Sequence, residues 1–156
     1  MKLRRKLIHL LAASAMASAM IMILPSTSAF ATGTTCNLGS GFTDAFHTEQ
    51  IYECGKVVGG GLHIGHLEGW VYEPYSFEGP LAHVHIELQK IIKGKTYHIK
   101  NCPAQTIPGG GSTSHCTWSP NSNEAAGQYC AIGWQYLPWY ETYWQMSAAA
   151  CVNVHS

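Results

Sequence analysis

After residue 31, apolar and polar positions form short runs that glycine and proline separate, and this pattern predicts an all-β protein. The predicted strands are Gln50–Val58, His66–Glu73, Leu81–Ile92, Lys95–Cys102, Thr113–Trp118, Gly127–Tyr136 and Tyr140–Val154. Short strands with turn signals between them favour an antiparallel sandwich or barrel, and we expect a small sandwich. The segment Thr32–Gly41 is interpreted as an arm tethered by Cys36, and only the region around Ala148–Ala150 would tolerate a helix.

The clearest predicted element is a hairpin around Lys93-Gly94, because a two-residue turn with glycine in second place suits a type I′ turn. This register pairs Ile92 with Lys95, Leu88 with Ile99, and Glu87 with Lys100. Side chains alternate between the two faces of a strand. The predicted core face holds Ala82, Val84, Ile86, Leu88, Tyr97 and Ile99, and the predicted polar face holds His83, His85, Glu87, Gln89, His98 and Lys100.

The first 31 residues have the order of a secretory signal peptide: a basic start, an apolar run from Leu7 to Leu24, and a small-residue stretch that ends Ala29-Phe30-Ala31. We expect cleavage after Ala31. The remaining 125 residues, 32–156, are enough for one domain and too few for two. The protein is therefore predicted to be secreted.

The charge of the predicted mature domain excludes two classes of function. Residues 32–156 carry five lysines, no arginine and nine acidic residues, which gives a net charge of −4. Binding to nucleic acid or to an anionic membrane surface requires a basic surface, which this domain lacks. No segment after residue 31 is apolar enough to span a membrane.

All six cysteines follow the predicted signal peptide, and an even number in an exported domain predicts three disulfides. A zinc site is disfavoured because the closest two cysteines are separated by thirteen residues, far from the usual two to four. Six cysteines allow 15 pairings. Pairing neighbours along the chain gives Cys36–Cys54, Cys102–Cys116 and Cys130–Cys151, while other connectivities stay open.

The polar face of the hairpin is a candidate zinc or copper site. His83 and His85 lie on one strand face, and His98 is a diagonal neighbour of Glu87 on the next strand. His63 and His66 could add ligands from a loop. The alternative is a solvated sheet face, which we favour because the predicted register sets Lys100 against Glu87, where it would repel a cation.

A second candidate site is aromatic, because six tryptophans and tyrosines crowd around Pro138. Alternation predicts that Cys130, Ile132, Trp134 and Tyr136 face the interior, as do Trp144, Met146, Ala148 and Ala150. Trp139, Tyr140 and Tyr143 are then the rings expected to stay exposed. Exposed flat rings suit a sugar face or a protein partner, since they bury a large area at low entropic cost.

Hydrolytic chemistry is disfavoured, because the mature domain has a single aspartate, Asp44, and no serine in a G-x-S-x-G elbow. We therefore expect a secreted, non-catalytic binding module that recognises an extracellular protein or glycan. The alternatives are a histidine-based zinc- or copper-binding protein and a secreted toxin, inhibitor or antimicrobial factor. Tyr129, directly before Cys130, resembles the tyrosine corner of immunoglobulin-like domains, in which the tyrosine lies two residues before the cysteine. The resemblance, which is off by one residue here, implies a sandwich of the immunoglobulin-like type.

Overall fold

The computed structural model describes residues 32–74 and 79–156, and the predicted signal peptide, 1–31, lies outside these ranges. The strands are β1 (Gly33–Phe42), β2 (Thr48–Gly60), β3 (His63–Tyr72), β4 (Leu81–Ile92), β5 (Lys95–Asn101), β6 (Gln105–Ile107), β7 (Cys116–Trp118), β8 (Ser122–Asn123), β9 (Gly127–Leu137), β10 (Thr142–Gln145) and β11 (Ala150–Val154). The part of the chain that the structure describes contains no helix. The predicted all-β class is confirmed.

The strands form two antiparallel sheets. The first sheet has the order β1-β2-β3-β7, and β8 also pairs with β3. The second sheet has the order β10-β9-β4-β5, in which β11 also pairs with β9 and β6 with β4.

No helix within the described ranges meets the length and hydropathy that a membrane crossing requires.

The core lies between the inner faces of the two sheets. Ile51, Val57 and Leu67 of the first sheet and Ile86 and Leu88 of the second are fully buried in it. Alternation within each strand places these side chains inward. The sheets approach so closely at Gly69 that a Cβ atom there would collide with the Cβ of Ala131, which explains a glycine in the middle of β3.

The three disulfides connect cysteines that are neighbours along the chain. Cys36–Cys54 joins β1 to β2, and Cys130–Cys151 joins β9 to β11. Cys102–Cys116 joins the end of β5 in the second sheet to β7 in the first. All six cysteines are paired, so the prediction of three disulfides is confirmed.

The interpretation of Thr32–Gly41 as an arm is wrong, because β1 pairs with β2 along its whole length. Its glycines mark close contacts, not flexibility: a Cβ atom at Gly39 would collide with the carbonyl oxygen of Met146. A helix around Ala148–Ala150 is also absent from the described chain, since Ala150 begins β11.

The predicted hairpin register holds from Ile92↔Lys95 to Gln89↔His98 and then fails. A β-bulge leaves Ile99 without a directly opposite residue, so Lys100 pairs with Leu88 and Asn101 with Glu87. The predicted pairs Leu88–Ile99 and Glu87–Lys100 are therefore wrong. The predicted core positions Val84, Ile86 and Leu88 are fully buried, whereas Tyr97 is 41% exposed near the turn of this edge strand.

The predicted faces of β9 are inverted. Its inward side chains are Tyr129, Ala131, Gln135 and Leu137, with Gly133 between them. Local packing explains the two residues that are not apolar. A Cβ atom at Gly133 would collide with the Val71 side chain, and the Gln135 amide is hydrogen-bonded to the backbone N–H and C=O of Phe42. Trp134 and Tyr136 are half-buried on the outer face, and Trp144, also predicted inside, is 43% exposed. Cys130, Ile132, Met146 and Ala150 are buried as predicted, whereas Ala148 is exposed.

Candidate functional site

The candidate site lies on the outer face of the second sheet, where β10, β9 and β4 run side by side. The registers set Tyr143 opposite Tyr136, and Trp134 opposite His85. Directly opposite residues point to the same face of an antiparallel pair. We call this surface the aromatic–histidine face, defined by His83, His85, Glu87, Trp134, Tyr136 and Tyr143.

The rings of this face contact one another in fixed arrangements. The Tyr136 and Tyr143 centroids lie 5.2 Å apart with planes tilted by 54°. The His85 ring meets Tyr143 edge-on at 5.5 Å, and His83 meets Tyr136 edge-on at 6.3 Å. Edge-to-face pairs of this kind are favourable. They hold Tyr143 in place while 59% of it remains exposed.

Glu87 is the polar centre of the face. Its Oε1 accepts a hydrogen bond from His98 Nδ1 at 2.9 Å, and its Oε2 accepts one from the Trp134 indole N–H at 3.2 Å. A carboxylate oxygen accepts hydrogen bonds, so His98 Nδ1 is the donor in this contact. Donors from two neighbouring strands therefore fix the position of the carboxylate.

A shallow, open depression surrounds this carboxylate, with a volume of about 380 Å³. Its lining residues are His85, Glu87, Asn101, Trp134 and Tyr143. Asn101 reaches the depression because the bulge at Ile99 sets it opposite Glu87. The volume falls in the range of small-ligand sites, about 300–1,000 Å³.

The depression offers polar groups but no basic side chain. Burial lowers the pKa of His85, and the nearby Glu87 charge opposes this only in part, so the imidazole is neutral at pH 7. Lys100 does not face Glu87 as the predicted register requires; its Nζ donates to the carbonyl oxygen of Thr117 in β7 at 2.8 Å. None of the described residues that line the depression is Lys or Arg.

The structure divides the predicted metal ligands between the two sheets. His83, His85 and His98 belong to β4 and β5, whereas His63 and His66 belong to β3. His83 has a left-handed φ of 58°, at an irregularity in the pairing of β4 with β6, and this interrupts the alternation on which the H-x-H argument rests. Within residues 32–74 and 79–156, no three His, Cys, Asp or Glu side chains are arranged to hold a metal ion.

Of the three predicted binding residues, only Tyr143 lines the depression. Trp139 and Tyr140 lie in the turn between β9 and β10, where their ring centroids are 6.5 Å apart. They are 39% and 60% exposed. Sequence reasoning missed Trp134 and Asn101 as lining residues. The only signal for them would have been the register of β9 and β5 against β4, which alternation alone does not fix.

A separate group of acids is enclosed between the sheets. Glu49, Glu53 and Glu73 are all buried, and within the described chain neither oxygen of Glu53 or of Glu73 has a well-formed hydrogen bond. Burial raises the pKa of Glu53 to about 8, and the nearby N–H of Gly133 lowers it only in part. Burial, followed by the charge of Glu49, also raises the pKa of Glu73. These groups affect stability and are not accessible to a ligand.

Comparison of the chain with protein-family models, with curated proteins and with solved structures gave no match.

Proposed function

We propose that the protein is a non-catalytic extracellular binding module that recognises a glycan or a protein through its aromatic–histidine face. The observation that carries this proposal is the depression in which the Trp134 and Tyr143 rings lie beside the fixed Glu87 carboxylate. Ligand sites combine aromatic surface with a few oriented polar groups in this way.

Exposed aromatic surface around the depression supports the same function. Tyr143 remains 59% exposed although its ring contacts both His85 and Tyr136, so it leaves apolar surface beside the depression for a ligand. Tyrosine and tryptophan are also the residues that most often dominate binding energy at interfaces.

Three disulfides and the predicted signal peptide support an extracellular location.

The immunoglobulin-like type of the sandwich is also part of the proposal. It is supported by the Tyr129 hydroxyl, which donates to the carbonyl oxygen of Ala125 at 2.8 Å, because a tyrosine corner makes this kind of hydrogen bond to backbone a few residues upstream.

The test is binding of the fluorescently labelled secreted protein to a printed glycan array and to an array of purified extracellular proteins. We expect signal on at least one array, and loss of that signal in a Trp134→Ala, Tyr143→Ala double variant. Tyr97→Ala is the matched control, because Tyr97 is an exposed ring of the second sheet outside the face. Absence of binding, or equal loss in the control, would contradict the proposal.

A further inference from the structure

We infer that the depression binds one ring of a neutral saccharide, with the apolar face of the sugar against Tyr143 and Trp134 and its hydroxyls bonded to Glu87, Asn101 and His85. This inference rests on the proposed function and names the ligand class of the same site.

The aromatic side chains supply the surface for the sugar ring. Tyr143 and Trp134 line the depression from neighbouring strands, β10 and β9. Their rings present flat apolar area at a low entropic cost, because neighbouring groups already restrain them. The Tyr143 ring is restrained by its perpendicular contact with His85, and the Trp134 indole by its hydrogen bond to Glu87.

The polar groups match the hydroxyls of a sugar, each of which both donates and accepts. The Glu87 carboxylate accepts, the Asn101 amide donates and accepts, and the neutral His85 imidazole does both. Each Glu87 oxygen has one hydrogen bond already, which leaves a further lone pair on each for a hydroxyl donor. Three such groups around two aromatic rings can fix both the position and the orientation of one ring.

Charge selects against an anionic ligand. Among the described residues that line the depression, Glu87 is the one charged side chain. Four of the five lysines contact other groups: Lys56 pairs with Glu68, Lys90 with Glu124, Lys100 with Thr117 and Lys95 with the Tyr97 ring. A uronate, sulfate or phosphate would therefore meet a carboxylate without a compensating cation.

A quaternary ammonium ligand is the competing occupant, since aromatic cages with an acidic residue bind such cations. A saccharide is favoured because two donors already offset the Glu87 charge, and because the described residues that line the open depression include two tryptophan or tyrosine rings, Trp134 and Tyr143. An amide and a neutral imidazole among the lining residues would have no partner in a methylated ammonium group.

The experiment is an NMR titration of the ¹⁵N-labelled secreted protein, expressed from the full chain, which follows the indole N–H resonance of Trp134. The probes are hexasaccharides of β-glucan, mannan and chitin as neutral ligands, polygalacturonate and heparin as anionic ones, and choline chloride as the cation. We expect the resonance to shift with at least one neutral saccharide, and the affinity to fall at least tenfold in Tyr143→Ala and in Asn101→Ala. The control variant Tyr97→Ala is expected to bind as the unaltered protein does.

Each alternative result overturns the inference in a distinguishable way. A shift with choline or with an anionic saccharide, and with no neutral one, would refute the saccharide while leaving the face as the binding surface. Binding of an array protein that depends on Trp134 and Tyr143, without any saccharide shift, would do the same. Failure of every array ligand and every probe at this face would refute both the inference and the proposed function.

Discussion

The Trp134 indole N–H donates to Oε2 of Glu87 across two neighbouring strands, at 3.2 Å. On the other side of the same carboxylate, His98 donates to Oε1 at 2.9 Å. The group that would contact a ligand is therefore already held before any ligand binds. Such preorganisation reduces the entropy that binding must remove.

Replacement of Trp134 by phenylalanine tests this arrangement, because it keeps a ring and removes the donor. We expect the fold to persist and the free energy of unfolding to fall by about 1 kcal/mol, the usual net value of one hydrogen bond. Chemical denaturation measures the change. Unaltered stability together with unaltered saccharide affinity would show that the bond to Glu87 has no role.

Glu53 predicts an unusual dependence of stability on pH. Its folded pKa of about 8 lies above its ordinary value of 4.5, so the folded state favours the neutral acid. The contribution of this group to the free energy of unfolding is greatest below pH 4.5 and declines as the pH rises from 4.5 to 8. Above pH 8 the group is charged in the folded state as well, and its burial then lowers the free energy of unfolding by a constant amount. Glu53→Gln should therefore stabilise the protein relative to the unaltered chain at pH 9, by about 3–5 kcal/mol at most, and much less at pH 4.

The measurement for Glu53 is denaturation of both proteins between pH 4 and 9, with Glu141→Gln as a control at an exposed acid. A stability difference between the Glu53 variant and the unaltered protein that does not change with pH would contradict the raised pKa.

The inner and outer faces of β4 predict losses of different size for substitutions at two positions of the strand. Leu88→Ala removes a fully buried side chain and should lower the free energy of unfolding by about 2–5 kcal/mol. His85→Ala removes a half-buried outer ring with one edge contact, and we expect a loss of about 1 kcal/mol or less. Urea denaturation of both variants decides the matter, and a reversed order would mean that the strand faces are exchanged.

Zinc or copper should leave the melting temperature unchanged at neutral pH. The basis is that the described residues contain no closed set of three ligands, and that His98 is bonded to Glu87. Thermal unfolding with and without a modest excess of metal gives the answer. A large rise that disappears in a His83→Ala, His85→Ala double variant would establish a metal site instead.

The predicted signal peptide and the three disulfides together predict one mass for the mature protein. It should correspond to residues 32–156 with six hydrogens lost to three disulfides, since Ala31 ends the predicted leader. Intact mass spectrometry after alkylation under denaturing, non-reducing conditions is the check. Uptake of an alkyl group would disprove the three disulfides, and retention of residues 1–31 would disprove cleavage.

Much of the fold could be predicted because buried strands require apolar side chains at every second position, as Val84, Ile86 and Leu88 illustrate. Alternation fixes the spacing but not which set faces inward. In β9 the inner set contains a glycine and a glutamine, so the apolar aromatics Trp134 and Tyr136 indicated the wrong face.

The candidate site was harder to predict, because it depends on one extra residue in β5. The bulge at Ile99 exchanges Lys100 for Asn101 beside Glu87, and no turn or periodicity signal in the sequence marks it. The predicted register set Lys100 against Glu87, where it would repel a metal ion, but the bulge moves Lys100 toward Thr117. A single-residue shift in register therefore changed the chemistry expected of the whole face.

The bond between Cys102 and Cys116 also gives the end of β5 a covalent attachment to the opposite sheet. Asn101, at the rim of the depression, is the last residue of an edge strand, and the next residue is covalently joined to the opposite sheet. A force applied at Asn101 would be shared between the hydrogen bonds that join β5 to β4 and the covalent link from Cys102 to the first sheet. Reduction of that one bond would leave the edge strand to be peeled away under tension.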